Sequence, residues 1–464
     1  MPATAAIDRT CPRRGWLRRR ALEACALLWM VPVLAALPVA ASAAGAAVGA
    51  TLGEGPNADT QAAAIEALMA RHVTPGQPGA AVGVYRAGRI VYAKGFGVAD
   101  LETGAPITPR TPFYVSSVSK QFTAFAIALL AQDGKVDLDA DIRRYLPWFP
   151  DLGQVITTRD LVHHTNGLRE QYELILLSGR DLRDLVTQAQ LRQVIARQRE
   201  LNFAPGTDFL YGNTAYTLMA EIVHAVSGRT LREFTSQRMF APLRMVNTGF
   251  IDDCCEVIPG RAFHYDKLAG GGWKRMRSSA GGAGPDGLLT TIEDLAAWSG
   301  NFGHPRVGDK ALIGMITRGG TLRDGSPLHY GFGLFDLPQG GREAISHMGV
   351  DVNVMSYFVY YPAHDLGIAV LSNSDVEVVE VAMAVADLYL PPVLPASAPA
   401  GPAALRAPTA TMLDRLTGIY VAETRPALVL ERDGAALRMR QIGDKAGQVL
   451  TLRDDGSFDT GKRP

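Results

Sequence analysis

Ser117-Val118-Ser119-Lys120-Gln121-Phe122 opens a stretch running to Leu130, in which Phe122, Phe125, Ala126, Leu129 and Leu130 recur on one helical stripe. A spacing of three sets the Ser117 hydroxyl and the Lys120 ammonium on one helix face, within reach of each other. Free N–H groups at a helix start stabilise negative charge on an attacked carbonyl oxygen. Serine is a weak nucleophile until a neighbour takes its proton, and an amine is one such neighbour. The Ser-x-x-Lys pattern is short enough to arise by chance, although it occurs once in this chain. Companions elsewhere in the sequence have to support it.

Two companions follow in order. Tyr211-Gly212-Asn213 comes after Phe203-Ala-Pro-Gly206 and before a helical run at 215–226. A tyrosine beside a lysine can titrate below its usual range and act as general base. Asn213 orients the lysine or holds a substrate amide; the same tripeptide also suits a plain turn with an N-cap. His347-Met348-Gly349 falls between a short strand at 344–346 and an alternating run from Val350. A strand edge there pairs with an extended substrate, with Gly349 allowing close approach; a buried histidine beside a strand bend is the plainer alternative.

Working outward, a helix is expected at 59–72, then a hairpin of 80–86 and 89–94 about Ala87-Gly88. Residues 135–330 read mostly as helix and loop. Strands return at 344–346, 352–361 and 366–372, and a helix at 376–390 closes the unit. Strands at both ends with helices between imply an α/β (α+β) fold: one antiparallel sheet from N- and C-terminal segments, flanked by helices, with an inserted helical region. A cleft between sheet and insert is a natural site.

Together the three motifs resemble the serine β-lactamase and penicillin-binding-protein superfamily, on its class C β-lactamase and carboxypeptidase/esterase side. The resemblance spans roughly residues 60–390 and includes Gly95-Phe-Gly-Val-Ala-Asp100, His163-His-Thr-Asn-Gly-Leu168 and Tyr330-Gly-Phe-Gly-Leu334. It implies Ser117 as the acylated nucleophile, Lys120 as its proton-transfer partner and Tyr211 as general base. Asn213 would hold Lys120 and the substrate amide. The backbone N–H groups of Ser117 and Val350 would form the oxyanion hole. His347 stands where a Lys-Thr-Gly strand motif usually has Lys. Histidine is mostly neutral at pH 7, which argues against strong β-lactam hydrolysis and leaves esterase or peptidase chemistry open.

The expected function is therefore an exported serine hydrolase acting on an ester or amide (a D-Ala peptide, a β-lactam or a small ester) without metal or organic cofactor. A non-catalytic penicillin- or peptidoglycan-binding sensor of the same fold is the alternative. Ser299-Gly300-Asn301 imitates a Ser-x-Asn motif but reads as a helix end capped by Gly300. His163-His164 reads as a polar corner before the Thr165-Asn166-Gly167 turn, not as a metal site. The Gly-rich segment 270–287, with Lys274, Arg275 and Arg277, reads as a solvated loop or a lid bringing positive charge to the cleft.

The 464 residues divide into a leader, residues 1–44; a hydrolase domain, 45–390; a Pro/Ala-rich linker, 391–412; and a short β-rich segment, 413–464. Six arginines precede an apolar run at 24–39 and the small residues Ala41-Ser42-Ala43-Ala44, the layout of an export signal to the periplasm or medium by the Sec or twin-arginine route. An uncleaved anchor is the other reading. After cleavage no membrane span is expected. The whole chain balances 46 basic against 46 acidic residues; without the leader it carries 40 against 44. No excess of positive charge recruits nucleic acid. With 47% hydrophobic and 20% charged residues, the chain is also too apolar for a disordered one.

Overall fold

The structure, a computed structural model, describes residues 58–393 except 181–184, 252, 254–255, 277–279 and 352, and beyond them 418–422, 425–434, 436–441, 448–452 and 458–459. The leader, nearly all of the linker, Cys254-Cys255 and Arg277 lie outside the described residues.

One six-stranded antiparallel sheet organises the domain. Its strands are β1 (Ala80–Arg86), β2 (Arg89–Phe96), β3 (Phe335–Asp336), β4 (Ile345–Asp351), β5 (Val354–Tyr361) and β6 (Leu366–Ser372). They lie side by side in the order β3-β4-β5-β6-β1-β2. Ala87 and Gly88, both at positive φ, turn β1 into β2 with the twist a two-residue hairpin prefers. Because side chains alternate across a strand, Val82 and Val84 of β1 face one side and Ala81 and Tyr85 the other.

The first face packs on α1 (Ala58–His72), through Ile65, Leu68 and Met69, and on α5 (Val378–Tyr389), through Val381 and Val385. Fully burying each such side chain contributes about 1.5–3 kcal/mol. The other face packs on α4 (Ile292–Gly303) and the inserted helices. That helix does not end at Gly300. A Cβ on Gly300 would lie 2.7 Å from Gly88 Cα, so the glycine is there for contact with the β1–β2 turn, and the cap falls at His304. Ser299-Gly300-Asn301 is thereby fixed in the interior, with Ser299 and Asn301 both buried.

Two inserted helices matter for the site, α2 (Lys120–Gln132) and α3 (Thr214–Ser227). The single stripe expected on α2 is too narrow a reading. Every residue from Lys120 to Leu130 is buried, as for a helix enclosed on all sides. In the C-terminal segment, five antiparallel strands from Gly418–Ala422 to Phe458–Asp459 form a separate sheet. Its turn at Gly434 has positive φ, as a tight hairpin turn favours.

Candidate active site

Three elements converge on one point. The chain enters α2 through a 3₁₀ turn, Ser116–Ser119. Ser116 has φ 46°, a left-handed conformation that costs a non-glycine residue roughly 1–2 kcal/mol. Its hydroxyl donates to the Val350 carbonyl at 2.8 Å, tying the turn to β4. Ser356 of β5 donates to the Val115 carbonyl at 2.7 Å, a second tie. Between them lies Gly349. A Cβ there would sit 2.2 Å from the Val115 oxygen, 2.3 Å from Ser356 Oγ and 3.1 Å from Ser117 N. Only glycine lets the strand come this close to the serine. The His347-Met348-Gly349 motif thus lies inside β4 and not between two strands; the hairpin to β5 comes later, at Asn353 with φ 51°.

Lys120 is fully buried. Its Nζ lies 2.9 Å from the half-buried Ser117 Oγ and donates to Asn213 Oδ1 at 2.8 Å and to the Pro285 carbonyl at 3.1 Å. Burial pushes the ammonium down to about 7, against the charges of Asp286 and Glu170, which hold its proton on. Tyr211 and Asn213 come from the loop entering α3, and Asn213 occupies the cap position itself. Asn213 is fixed by Glu170, whose carboxylate accepts from its backbone N–H and, at 3.1 Å, from Nδ2.

The expectation of a lowered Tyr211 pKa does not hold. Burial pushes the phenol up, and neighbouring Tyr216, Glu170 and Asp286 add to this, while a hydrogen bond with Ser117 pulls the other way. Lys120 Nζ lies over the Tyr211 ring, 4.8 Å from its centroid. Burial thus favours the neutral phenol at Tyr211, and Lys120 is the group pushed toward neutral-pH titration. His347, 2% exposed, is held neutral, its pKa pushed down to about 3 by burial and by Lys120. Its Nδ1 meets the Met348 carbonyl at 2.7 Å, so Nε2 is free to accept from Tyr330 Oη at 3.1 Å.

Ser117, Lys120, Tyr211, Asn213, His347, Gly349 and Val350 meet here, and four residues that were not so read join them. Glu170 holds Asn213. Asp286 is 9% exposed, accepts from Tyr172 Oη at 3.2 Å through Oδ2 and leaves Oδ1 without a hydrogen-bond partner among the described residues. Burial, together with the charge of Asp351, pushes its carboxyl above the usual range. Tyr330 holds His347. His164 is no polar corner: it is fully buried, its ring 4.5 Å from that of Tyr211. Only His163-His164-Thr-Asn-Gly and the Tyr330 stretch carried any sequence signal; Glu170 and Asp286 had none.

The 270–287 segment is neither one loop nor a source of positive charge from Arg275. Trp273–Met276 pairs with His264–Lys267, and Arg275 lies over the Phe263 ring and meets Glu102 at 3.4 Å. The end of the segment is buried against α2, where Thr123 Oγ1 donates to the Gly284 carbonyl at 2.7 Å.

The family model for Beta-lactamase matches residues 62–389. The chain is 30% identical to a D-aminopeptidase of Gluconobacter oxydans over 313 residues, 67% of this chain and 58% of that protein. It is 31% identical to a D-aminopeptidase of Brucella anthropi over 288 residues, 62% of this chain and 54% of that protein. The chain thus spans little more than half the length of these curated relatives. Its fold resembles that of the octameric penicillin-binding protein homologue from Pyrococcus abyssi, with TM-score 0.62 and 24% identity over 87% of this chain and 95% of the other.

Proposed function

Since this chain belongs to the Beta-lactamase family, we propose that it is a serine hydrolase that opens amide bonds next to a free amino group, in the manner of a D-aminopeptidase. One observation carries the choice of substrate. Where a carboxylate-binding relative would need a cation, His347 is neutral and already bonded to Tyr330. Around Lys120 stand carboxyl groups instead, Glu170 and Asp286, and Asp286 keeps one oxygen without a hydrogen-bond partner among the described residues. That arrangement suits a substrate ammonium and not a substrate carboxylate. The D configuration is carried over from the named relatives.

In the proposed reaction Ser117 Oγ attacks the amide carbon as its proton passes to the Lys120 amine, 2.9 Å away. The developing oxyanion is taken by the backbone N–H groups of Ser117 and Val350, held close by Gly349. Tyr211, hydrogen-bonded to Ser117, gives its proton to the leaving nitrogen while Lys120 passes the serine's proton on to the phenol oxygen, so that the C–N bond breaks and both groups end neutral. Water then attacks the Ser117 ester, its proton passing to Lys120 and from there to Ser117 Oγ as the ester bond breaks and the acid leaves. Asn213 keeps Lys120 in register throughout.

The test is a panel of D-alanine p-nitroanilide, its L isomer, its N-acetyl derivative and a chromogenic cephalosporin. The free D-amine is expected to be the best substrate, and acetylation to lower kcat/KM by at least about a hundredfold, because a site built around a polar partner rejects its absence. Equal turnover of the acetylated compound refutes the ammonium reading. Ser117→Ala should abolish turnover and fluorophosphonate labelling. A stable penicillin adduct with no turnover of any compound would favour a binding sensor. Export through cleavage near residue 44 belongs to the same proposal; the N-terminal sequence of the protein recovered from cells tests it.

A further inference from the structure

His164 has no part in the chemistry above, yet it touches the tyrosine from three directions. Its carbonyl accepts the Leu210 N–H at 3.0 Å, and its Nδ1 accepts the Gly212 N–H at 3.3 Å. Its ring lies on the Tyr211 ring, with centroids 4.5 Å apart. The residues before and after Tyr211 are therefore both bonded to one side chain and its own backbone. The geometry needs φ 57° at His164, an unusual conformation for a residue of this size. Accepting at Nδ1 requires the neutral tautomer with its proton on Nε2, and Nε2 has no hydrogen-bond partner among the described residues. The rings of Tyr216 and Tyr330 pack around it at 5.0 and 4.8 Å.

We propose that His164 is the positioning residue of Tyr211, fixing where its hydroxyl meets Ser117. This rests on the reading of Ser117 and Tyr211 as a working acyl-transfer pair. Burial keeps the imidazole uncharged, and the charges of Lys120, His347 and His163 push in the same direction. A proton on Nδ1 would face the Gly212 N–H and break the clamp. A side chain present only to fill space would be replaceable by any ring of similar size. One present as a clamp needs the Nδ1 lone pair.

Two variants separate these. His164→Phe keeps a ring but loses the acceptor. His164→Asn loses the ring but offers an amide oxygen near the Nδ1 position, and asparagine tolerates positive φ. The readouts are kcat and KM on the best amide, and the labelling rate of Ser117 by a fluorophosphonate, each also in a Tyr211→Phe background. His164→Phe is expected to lower kcat and labelling by about tenfold to a hundredfold, the scale of a small misplacement of a reacting group, with KM little changed. It should cause no further loss once Tyr211 is Phe. His164→Asn should recover most of the labelling rate. Equal losses in both backgrounds overturn the proposal, as does a folded His164→Asn protein no better than His164→Phe. If His164→Phe fails to fold, His164→Leu, which likewise lacks the acceptor, takes its place in both backgrounds. Absence of labelling in the wild-type protein overturns the hydrolase reading and this proposal together; labelling that His164→Phe leaves unchanged overturns this proposal only.

Discussion

Gly349→Ala tests the closest approach in the site. The added Cβ would lie 2.2 Å from the Val115 carbonyl oxygen and 2.3 Å from Ser356 Oγ, where real contacts do not fall below 3.0 Å. Strand and turn would therefore have to part by about 0.8 Å at least. The neighbours cannot give separately, because Ser356 Oγ is bonded to that same carbonyl. Val115 also accepts the Val118 N–H that starts the 3₁₀ turn, so the displacement reaches Ser117 and its N–H. A misplacement near 1 Å costs roughly a hundredfold in rate, and overpacking costs about 1–3 kcal/mol in stability. The assay compares kcat, KM and fluorophosphonate labelling with melting temperature. A loss of about a hundredfold in kcat at nearly constant KM is expected, with melting lowered by several degrees at roughly 2–4 °C per kcal/mol. A folded variant within threefold of wild-type kcat would refute the claim that β4 sets the geometry at Ser117.

Tyr211→Phe should lower kcat by roughly 10²–10⁴, the usual worth of a positioned proton-transfer group, with circular dichroism and melting unchanged; near-normal kinetics would count against its role. Asp286→Asn removes a charge that holds the proton on Lys120. Lys120 then titrates lower, and the acid limb of the pH profile for labelling by a neutral fluorophosphonate moves to lower pH; an unmoved limb would show that Lys120 does not govern it. His347→Gln keeps a neutral acceptor for Tyr330, so the loss in kcat/KM should stay within about tenfold, the scale of a neutral hydrogen bond, and the profile between pH 5 and 9 should keep its shape. A limb that disappears in this variant would mean the imidazole titrates in that range.

Local pattern made much of this legible. The hairpin at Ala87-Gly88 and the alternation in β1 and β5 follow from backbone preferences that neighbouring residues state openly. Ser117 and Lys120 could be paired because three residues of helix bring them together whatever the rest of the chain does. Glu170 and Asp286 could not be found this way. Their roles come from burial beside Lys120, and burial depends on elements far off in sequence. Tyr211 shows the same limit. Proximity to a lysine suggests a lowered pKa, but desolvation acts on the phenol too and outweighs it, with the ammonium lying over the ring. Gly300 was read as a local cap when its reason for being glycine lies at Gly88.

The order of strands has a consequence for how the chain is made. β1 is synthesised early, yet its partner on one side is β6, and the side chain of Asn373 accepts the N–H of Gly79, 294 positions away. Until residue 372 has left the ribosome, β1 and β2 form a hairpin with an open apolar edge, a template for unwanted pairing. Closing so long a loop also delays folding relative to a protein built from local contacts. Translation halted before β6 should therefore give a product that aggregates or binds chaperones, and synthesis of β6 itself, residues 366–372, should be what makes it soluble.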